Sequence, residues 1–173
     1  MSENVNVRIK STIINLVDAE RFRVSSDGRF FTDDDGKRRP VDEIESCCSE
    51  TYEYSAAGEM SEENGKIVIK YKEPDSIGYS DCTTTFILSE NEKNTVTMTR
   101  SGDLGMACRF DMNEKRQICC YETPVIPLEF VVQTKKVFHS ITSDGGSILL
   151  DYYIEIRGAN AERSKLFIEV RKR

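Results

Sequence analysis

Arg100 is the residue whose position in the sequence has the clearest chemical consequence. Val96, Met98 and Arg100 alternate with polar residues, so the arginine shares a face with apolar side chains. An arginine on an inward face needs a partner, because an unpaired buried charge is strongly unfavourable. Glu73 and Glu122 are the candidate partners, since each lies beside a turn. Two roles stay open for the guanidinium: binding an anionic ligand, or forming an ion pair that closes one end of the fold.

Hydroxyl groups on the same predicted faces are the second chemical feature. We expect Tyr71, Thr84, Tyr121, Thr123 and Thr134 to line the interior that also receives the arginine. Hydroxyls on an otherwise apolar wall orient a single small ligand. They therefore predict a site for a small anionic or amphipathic molecule. The alternative is an interior filled by side chains, which is common where a small sheet closes on itself.

The six cysteines do not have the spacing of a metal site. Zinc sites usually separate paired ligands by two to four residues, whereas four of these cysteines form two adjacent pairs. Neighbouring residues of a strand point to opposite faces, so each pair offers only one inward thiol. We expect no metal, no cofactor and no disulfide, with the cysteines acting as small apolar residues. They are Cys47, Cys48, Cys82, Cys108, Cys119 and Cys120.

Catalysis has little support in the sequence. His139 is the only histidine, and no nucleophile elbow or phosphate-binding glycine loop is present. An enzymatic function would need His139 beside a carboxylate in a pocket. The sequence therefore predicts a binding protein and identifies no catalytic residue.

The elements that must position these residues are β-strands. Apolar and polar residues alternate in about ten runs, among them Val5 to Ile13 and Leu128 to Thr134. Asn64-Gly65 suits a type I′ turn between two runs. No run has the period of an amphipathic helix, and the short later connections favour antiparallel neighbours. The prediction is an all-β chain folded as a single antiparallel up-and-down β-barrel of about 8–10 strands, with a two-sheet sandwich as the alternative.

A polar segment from about Asp18 to Ser46 interrupts this alternation. We expect a small hairpin within it that uses Phe22, Val24, Phe30 and Phe31. These aromatic residues suggest an alternative function, in which the segment or an open sheet edge docks a partner protein without any ligand. With this insertion included, residues 1–173 are expected to form one domain.

The overall composition excludes several classes of protein. The chain has 173 residues and a net charge of −6, which argues against a nucleic-acid-binding surface. No stretch is apolar enough to cross a membrane as a helix. The N-terminal residues have neither an apolar signal core nor an amphipathic leader, so we expect a cytoplasmic protein with reduced thiols. The oligomeric state stays open.

Five short motifs, taken together in this order, resemble the YwiB-like family. They are Ile69-Lys70-Tyr71-Lys72-Glu73, Thr83-Thr84-Thr85-Phe86, Thr99-Arg100-Ser101-Gly102, Tyr121-Glu122-Thr123-Pro124 and Leu128-x-Phe130-x-Val132-x-Thr134. The resemblance covers roughly residues 3–172. The family consists of small bacterial barrel proteins of uncharacterised function, related in fold to the lipocalins and other calycins. The resemblance therefore implies a calycin-type, lipocalin-like barrel and no particular activity.

Overall fold

The computed structural model describes residues 2–16, 22–75, 81–123 and 125–173. Strands dominate this part of the chain. In chain order they are β1 Ser2–Asn15, β2 Arg23–Val24, β3 Phe30–Thr32, β4 Arg38–Pro40, β5 Ser49–Glu63, β6 Lys66–Lys72, β7 Thr83–Leu88, β8 Thr95–Ser101, β9 Gly105–Asp111, β10 Arg116–Glu122, β11 Leu128–His139, β12 Gly145–Ile156 and β13 Ala159–Lys172. A 3₁₀ turn, Val41–Glu43, and a short helix α1, Ile44–Cys47, precede β5. Within the described residues no helix has the length and apolar character needed to cross a membrane.

Ten of the strands close into one antiparallel barrel. Consecutive strands from β5 to β13 are neighbours, and β1 lies between β13 and β5. The prediction of an up-and-down barrel is confirmed, and the sandwich alternative is wrong. Closure gives each barrel strand a neighbour on both sides, although within the described residues β9 and β10 are paired only at Tyr121 with Met106 and Glu122 with Gly105.

The β5–β6 hairpin illustrates how local sequence fixes the register. Asn64 and Gly65 have φ angles of 53° and 72°, both in the left-handed region that a type I′ turn requires. The turn pairs Glu63 with Lys66. Because every second residue of a strand faces the same side, this pairing sets which side chains of β5 and β6 enter the barrel.

The polar segment between β1 and β5 forms a small sheet with strand order β2-β3-β4. The expected hairpin is present, since Val24 pairs with Phe31. The rings of Phe22 and Phe31 are 4.9 Å apart and both are buried, while Arg38 lies over the ring of Phe30. These aromatic residues therefore pack within the segment itself. Asp18 to Arg21, at its start, lie outside the described residues.

The same segment is fastened to the outer face of the barrel. Arg163 on β13 contacts Glu45 of α1 at 2.6 Å and Asp151 of β12 at 2.8 Å. Ile14, near the end of β1, is buried although it lies on the outward face of the strand, opposite to the face of the inward residues Val7 and Ile9. We conclude that the segment covers the outside of β1 and β13 and is part of the folded structure.

The barrel interior has two halves of different character. In the half beside the β5–β6, β7–β8 and β11–β12 turns, inward side chains interlock and have almost no accessible surface. We call this the packed half, and it includes Ile69, Phe86, Val96, Phe110, Ile148, Leu150 and Ile168. The other half, beside the β8–β9 and β10–β11 turns, contains Arg100 and is called the polar half.

Candidate ligand-binding site

Arg100 lies in a row of inward side chains that crosses five strands of the polar half. Tyr71 is paired with Thr84, Thr84 with Arg100, Arg100 with Met106 and Met106 with Tyr121. Directly opposed residues of antiparallel strands present their side chains on the same face. The register therefore brings Tyr71, Thr84 and Tyr121 to the arginine, as the sequence analysis expected.

Glu73 holds the guanidinium. Its Oε1 accepts hydrogen bonds from Arg100 Nη2 at 2.8 Å and Nε at 3.0 Å. Thr84 Oγ1 donates to the same oxygen at 2.5 Å. Glu73 itself is held by its backbone N–H, which donates to the carbonyl of Cys82 at 2.8 Å. The carboxylate is buried, whereas the arginine side chain keeps 25% of its surface accessible, so the ion pair leaves one side of the cation open.

The charge of Arg100 is stabilised within this half. Burial lowers the pKa of the guanidinium, but the charge and hydrogen bonds of Glu73 outweigh it and the net shift is upward. Arg100 therefore remains a cation, and among the described residues its Nη1 donates no hydrogen bond. A cation with free donors can bind an anionic or hydrogen-bond-accepting group.

The charge of Arg100 acts on tyrosines from four strands. Burial raises the pKa of Tyr54 and of Tyr71, whose hydroxyls are hydrogen-bonded to each other. The charge of Arg100 opposes this rise in both phenols, and it also acts on Tyr121 and Tyr152.

Inward residues of the polar half retain accessible surface, unlike those of the packed half. Tyr152 shows the contrast: burial raises its pKa to about 12, yet part of its surface remains accessible. The inward side chains of the polar half that keep accessible surface are called the chamber residues, and the set as a whole the chamber. They include Ser11, Tyr54, Arg100, Met106, Tyr121, Phe130, Tyr152, Glu162 and Leu166.

One wall of the chamber is acidic. Ser164 donates to Glu162 Oε1 at 2.6 Å and is also hydrogen-bonded to Tyr152. Among the described residues no cation pairs with Glu162. The chamber therefore has a cation on β8 and a carboxylate on β13, with apolar side chains such as Phe130 and Leu166 between them.

Two residues expected at the site lie elsewhere. Glu122 follows the inward Tyr121, so it faces outward, and its carboxylate lies over Gly105, where a Cβ would stand 3.0 Å from Oε2. Glu122 lines a depression of about 730 Å³ at the barrel mouth that Arg100 also reaches. No ion pair joins Glu122 to Arg100 in the described structure, so Glu73 is the partner. The hydroxyl of Thr123 donates to the carbonyl of Ile126 at 2.8 Å and stabilises a turn.

Thr134 is inward, as expected, but it belongs to the core. It is buried opposite Tyr152, and its hydroxyl has no hydrogen-bond partner in the described structure. Sequence analysis also missed Tyr54, Tyr152 and Glu162. Tyr152 had a readable signal, because it continues the alternation of the apolar residues before it in β12. Tyr54 and Glu162 had none, because their strands alternate weakly in this region.

His139 does not form the arrangement that an enzymatic function would need. It is fully buried in the packed half, where its Nε2 lies 3.1 Å from the carbonyl of Glu92. Burial lowers its pKa. No carboxylate contacts the ring within the described residues, and no cluster of three or more histidine, cysteine or acidic side chains occurs among them.

Comparison with known proteins places this architecture in a family. The crystal structure of the ywiB protein from Bacillus subtilis is similar, with a TM-score of 0.67 at 19% identity over 99% of this chain and 93% of that one. At this identity the likeness shows the fold alone. A search of the curated proteins finds no match. The family model "Domain of unknown function (DUF1934)" matches residues 37–168, which is most of the sequence. The chain therefore belongs to the DUF1934 family and has a YwiB-like fold.

Proposed function

We propose that this protein binds one small amphipathic molecule in the chamber, with its anionic or polar head on Arg100. The observation that carries the proposal is that Arg100 faces into the barrel, is paired with a buried carboxylate and still keeps an accessible side. A guanidinium needed only to close the barrel end would be better covered by its neighbours. None of the six cysteines forms a disulfide in the described structure, which favours the cytoplasm as the compartment.

The charges around Arg100 restrict the head group. Glu73 cancels the formal charge of the arginine and would repel a second carboxylate close to it. The remaining donors are Nη1 of Arg100 and nearby phenol hydroxyls such as that of Tyr54. These features suit a head with at most one negative charge and several acceptor atoms, such as a monocarboxylate, more than a phosphate.

The rest of the chamber suits an apolar body. Met106, Phe130 and Leu166 face inward and keep accessible surface, which a ligand would remove from water. Burial of apolar surface supplies most of the affinity in such sites, while a few polar groups orient the ligand. The depression at the barrel mouth offers a path from solvent to Arg100.

The test is a binding screen with paired probes. Monocarboxylates of increasing chain length and the matched neutral amides are added, and the melting temperature is recorded, since a ligand that binds the folded state raises it. We expect carboxylates to raise it more than amides. Arg100→Gln should weaken binding by roughly tenfold, which is about 1.4 kcal/mol. The matched control is Arg163→Gln, which removes an equally well-paired arginine from the outer face.

A second pair of variants tests the location independently of Arg100. Leu166→Trp should fill the chamber and abolish binding, whereas Phe167→Trp on the outward face of the same strand should leave it unchanged. Equal affinity in wild type, Arg100→Gln and Leu166→Trp would contradict the proposal. Leu166→Trp and Phe167→Trp also test the location of the binding site if Arg100→Gln fails to fold.

Docking of a partner protein on the 18–46 segment is the alternative function. It has less support, because Phe22 and Phe31 pack against each other rather than facing solvent. The segment is also bound to the barrel through Glu45 and Arg163.

A further inference from the structure

Cys108 and Cys119 lie side by side on the adjacent strands β9 and β10, and both face the barrel interior. Met106 on β9 is paired with Tyr121 on β10, and the same register continued by two residues along each strand aligns Cys108 with Cys119. Both side chains point inward and are almost fully buried, with 3% and 2% of their surface exposed. In a regular ladder, aligned residues have Cα atoms about 4.5–5.5 Å apart, which lies within the range of a disulfide, about 4.4–6.8 Å, and here the two thiols are close enough to hydrogen-bond.

The two thiols interact in the reduced protein. A hydrogen bond between them lowers the pKa of Cys119, and the backbone N–H of Val132 lowers it further against the effect of burial. The same hydrogen bond and burial raise the pKa of Cys108. The hydrogen bond thus brings the two sulfur atoms close enough to react with each other.

The pair lies at a place where the barrel wall has few backbone hydrogen bonds. Between β9 and β10 the paired residues are Tyr121 with Met106 and Glu122 with Gly105. By contrast, β8 is paired with β9 from Thr95 to Arg100, and β10 is paired with β11 from Arg116 to Tyr121. The cysteines therefore stand where this backbone ladder ends, and a covalent bond between them would extend the connection of β9 to β10.

The thiols lie next to the chamber, and we expect a small oxidant to reach them from that side. Met106, one of the chamber residues, lies two positions before Cys108 on the same face of β9. The charge of Arg100 acts on Cys108, and Cys108 acts on Tyr152. The thiols thus belong to the core cluster and lie at its border with the chamber.

We propose that Cys108 and Cys119 form a redox modification site that a peroxide converts to a cross-strand disulfide. The Cys119 thiolate attacks one oxygen of hydrogen peroxide; an S–O bond forms, the O–O bond breaks, and hydroxide leaves and takes up a proton. The Cys108 sulfur then attacks the resulting sulfenic acid, forming the S–S bond as a second water leaves. In total two thiols lose two electrons and two protons, and the peroxide is reduced to two waters.

This inference goes beyond ligand binding and does not rest on it. In a reducing compartment both residues remain thiols, and the disulfide forms only when peroxide is present. Cys82, which is also buried, has no opposed cysteine in the described structure and should stay reduced.

The experiment uses the Cys120→Ser protein, because Cys119 and Cys120 otherwise fall in one tryptic peptide. Hydrogen peroxide is added, remaining thiols are alkylated after denaturation, and the digest is analysed by mass spectrometry. Trypsin cuts after Arg109 and Arg116, so Cys108 and Cys119 separate unless they are cross-linked. We expect a linked peptide pair about two mass units lighter than the sum of the reduced peptides, and its loss on adding dithiothreitol.

Controls make each outcome decisive. The linked pair should form in Cys82→Ser and disappear in Cys108→Ser and in Cys119→Ser. The exposed Cys47 is the internal measure that the peroxide dose was sufficient. The proposal is overturned if Cys47 is oxidised while Cys108 and Cys119 remain thiols, or if either one links to another cysteine instead. Peptide mapping of the Cys120→Ser protein already distinguishes these outcomes. The test therefore remains valid even if Cys108→Ser or Cys119→Ser fails to fold.

Discussion

The two halves of the barrel interior are built from the same ten strands but differ in the polarity of their inward side chains. In the packed half, alternate residues such as Phe86, Val96 and Ile148 are apolar and wholly buried. In the polar half, the same strands place Thr84 and Arg100 on the inward face. A strand thus changes from apolar to polar within two or three residues while its alternation continues without a break.

The difference separates the half that supplies stability from the half in which we propose that a ligand binds. Apolar burial is the main favourable contribution to folding, and the packed half supplies it. Burying an ion pair and several phenols contributes little, because the groups lose water as they gain partners. We infer that the polar half is maintained for binding, and the following predictions test that separation from the largest expected effect to the smallest.

Truncating a side chain of the packed half should have the largest effect on stability. Phe86→Ala removes a fully buried ring, and we expect the free energy of unfolding to fall by about 3–5 kcal/mol. Phe138→Ala, at a site 47% exposed on the outer face, should cost less than about 1 kcal/mol. Urea denaturation measures both. Similar losses in the two variants would show that the packed half does not dominate stability.

Breaking the ion pair of the polar half should have a smaller effect. Arg100→Met leaves the buried Glu73 carboxylate without its cation, so we expect a loss of about 3 kcal/mol. Changing Glu73→Met in the same protein removes the stranded charge and should restore stability to within about 1 kcal/mol of wild type. A double-mutant cycle by urea denaturation measures the coupling. If the double variant is as unstable as the single one, the pair is needed for the fold itself.

The polar half should make the protein sensitive to alkali. Burial raises the pKa of Tyr152 to about 12, above the ordinary value of about 10. The folded protein therefore holds this proton more tightly than the unfolded chain, and the stability it contributes is present below about pH 10 and lost as the pH rises toward 12. Tyr152→Phe should remove about 3 kcal/mol of that loss, and Tyr153→Phe, on the outward face of the same strand, is the matched control. Unfolding followed against pH would show the difference in slope.

The packed half should make the protein sensitive to acid, and by a smaller amount. Burial lowers the pKa of His139, so below the ordinary value near 6.5 the unfolded chain binds a proton that the folded protein resists. Stability is therefore present at neutral pH and falls as the pH drops through this range. His139→Gln should flatten the decline between about pH 7 and pH 5. An unchanged acid slope in this variant would mean that other groups control it.

Much of the barrel could be predicted from the sequence because strand alternation is a local property. The period of two in Val96, Met98 and Arg100 fixes the face of the arginine without knowledge of its neighbours. The same rule shows why Tyr121 and Glu122 cannot both face inward, although both were expected at the site. Asn64-Gly65 determined a turn, since few other pairs adopt two positive φ angles easily.

The sequence by itself determined which residue types face inward on most strands, and thus an all-β barrel with an inward-facing arginine. Only the tertiary structure decided that Glu73 and not Glu122 holds that arginine, because the choice depends on the register of β6 against β7 and β8. It alone brought Tyr54 and Tyr152 beside Arg100 and placed Cys108 opposite Cys119. These contacts join residues far apart in the chain, and no local pattern encodes the closure of a sheet or the space that it leaves inside.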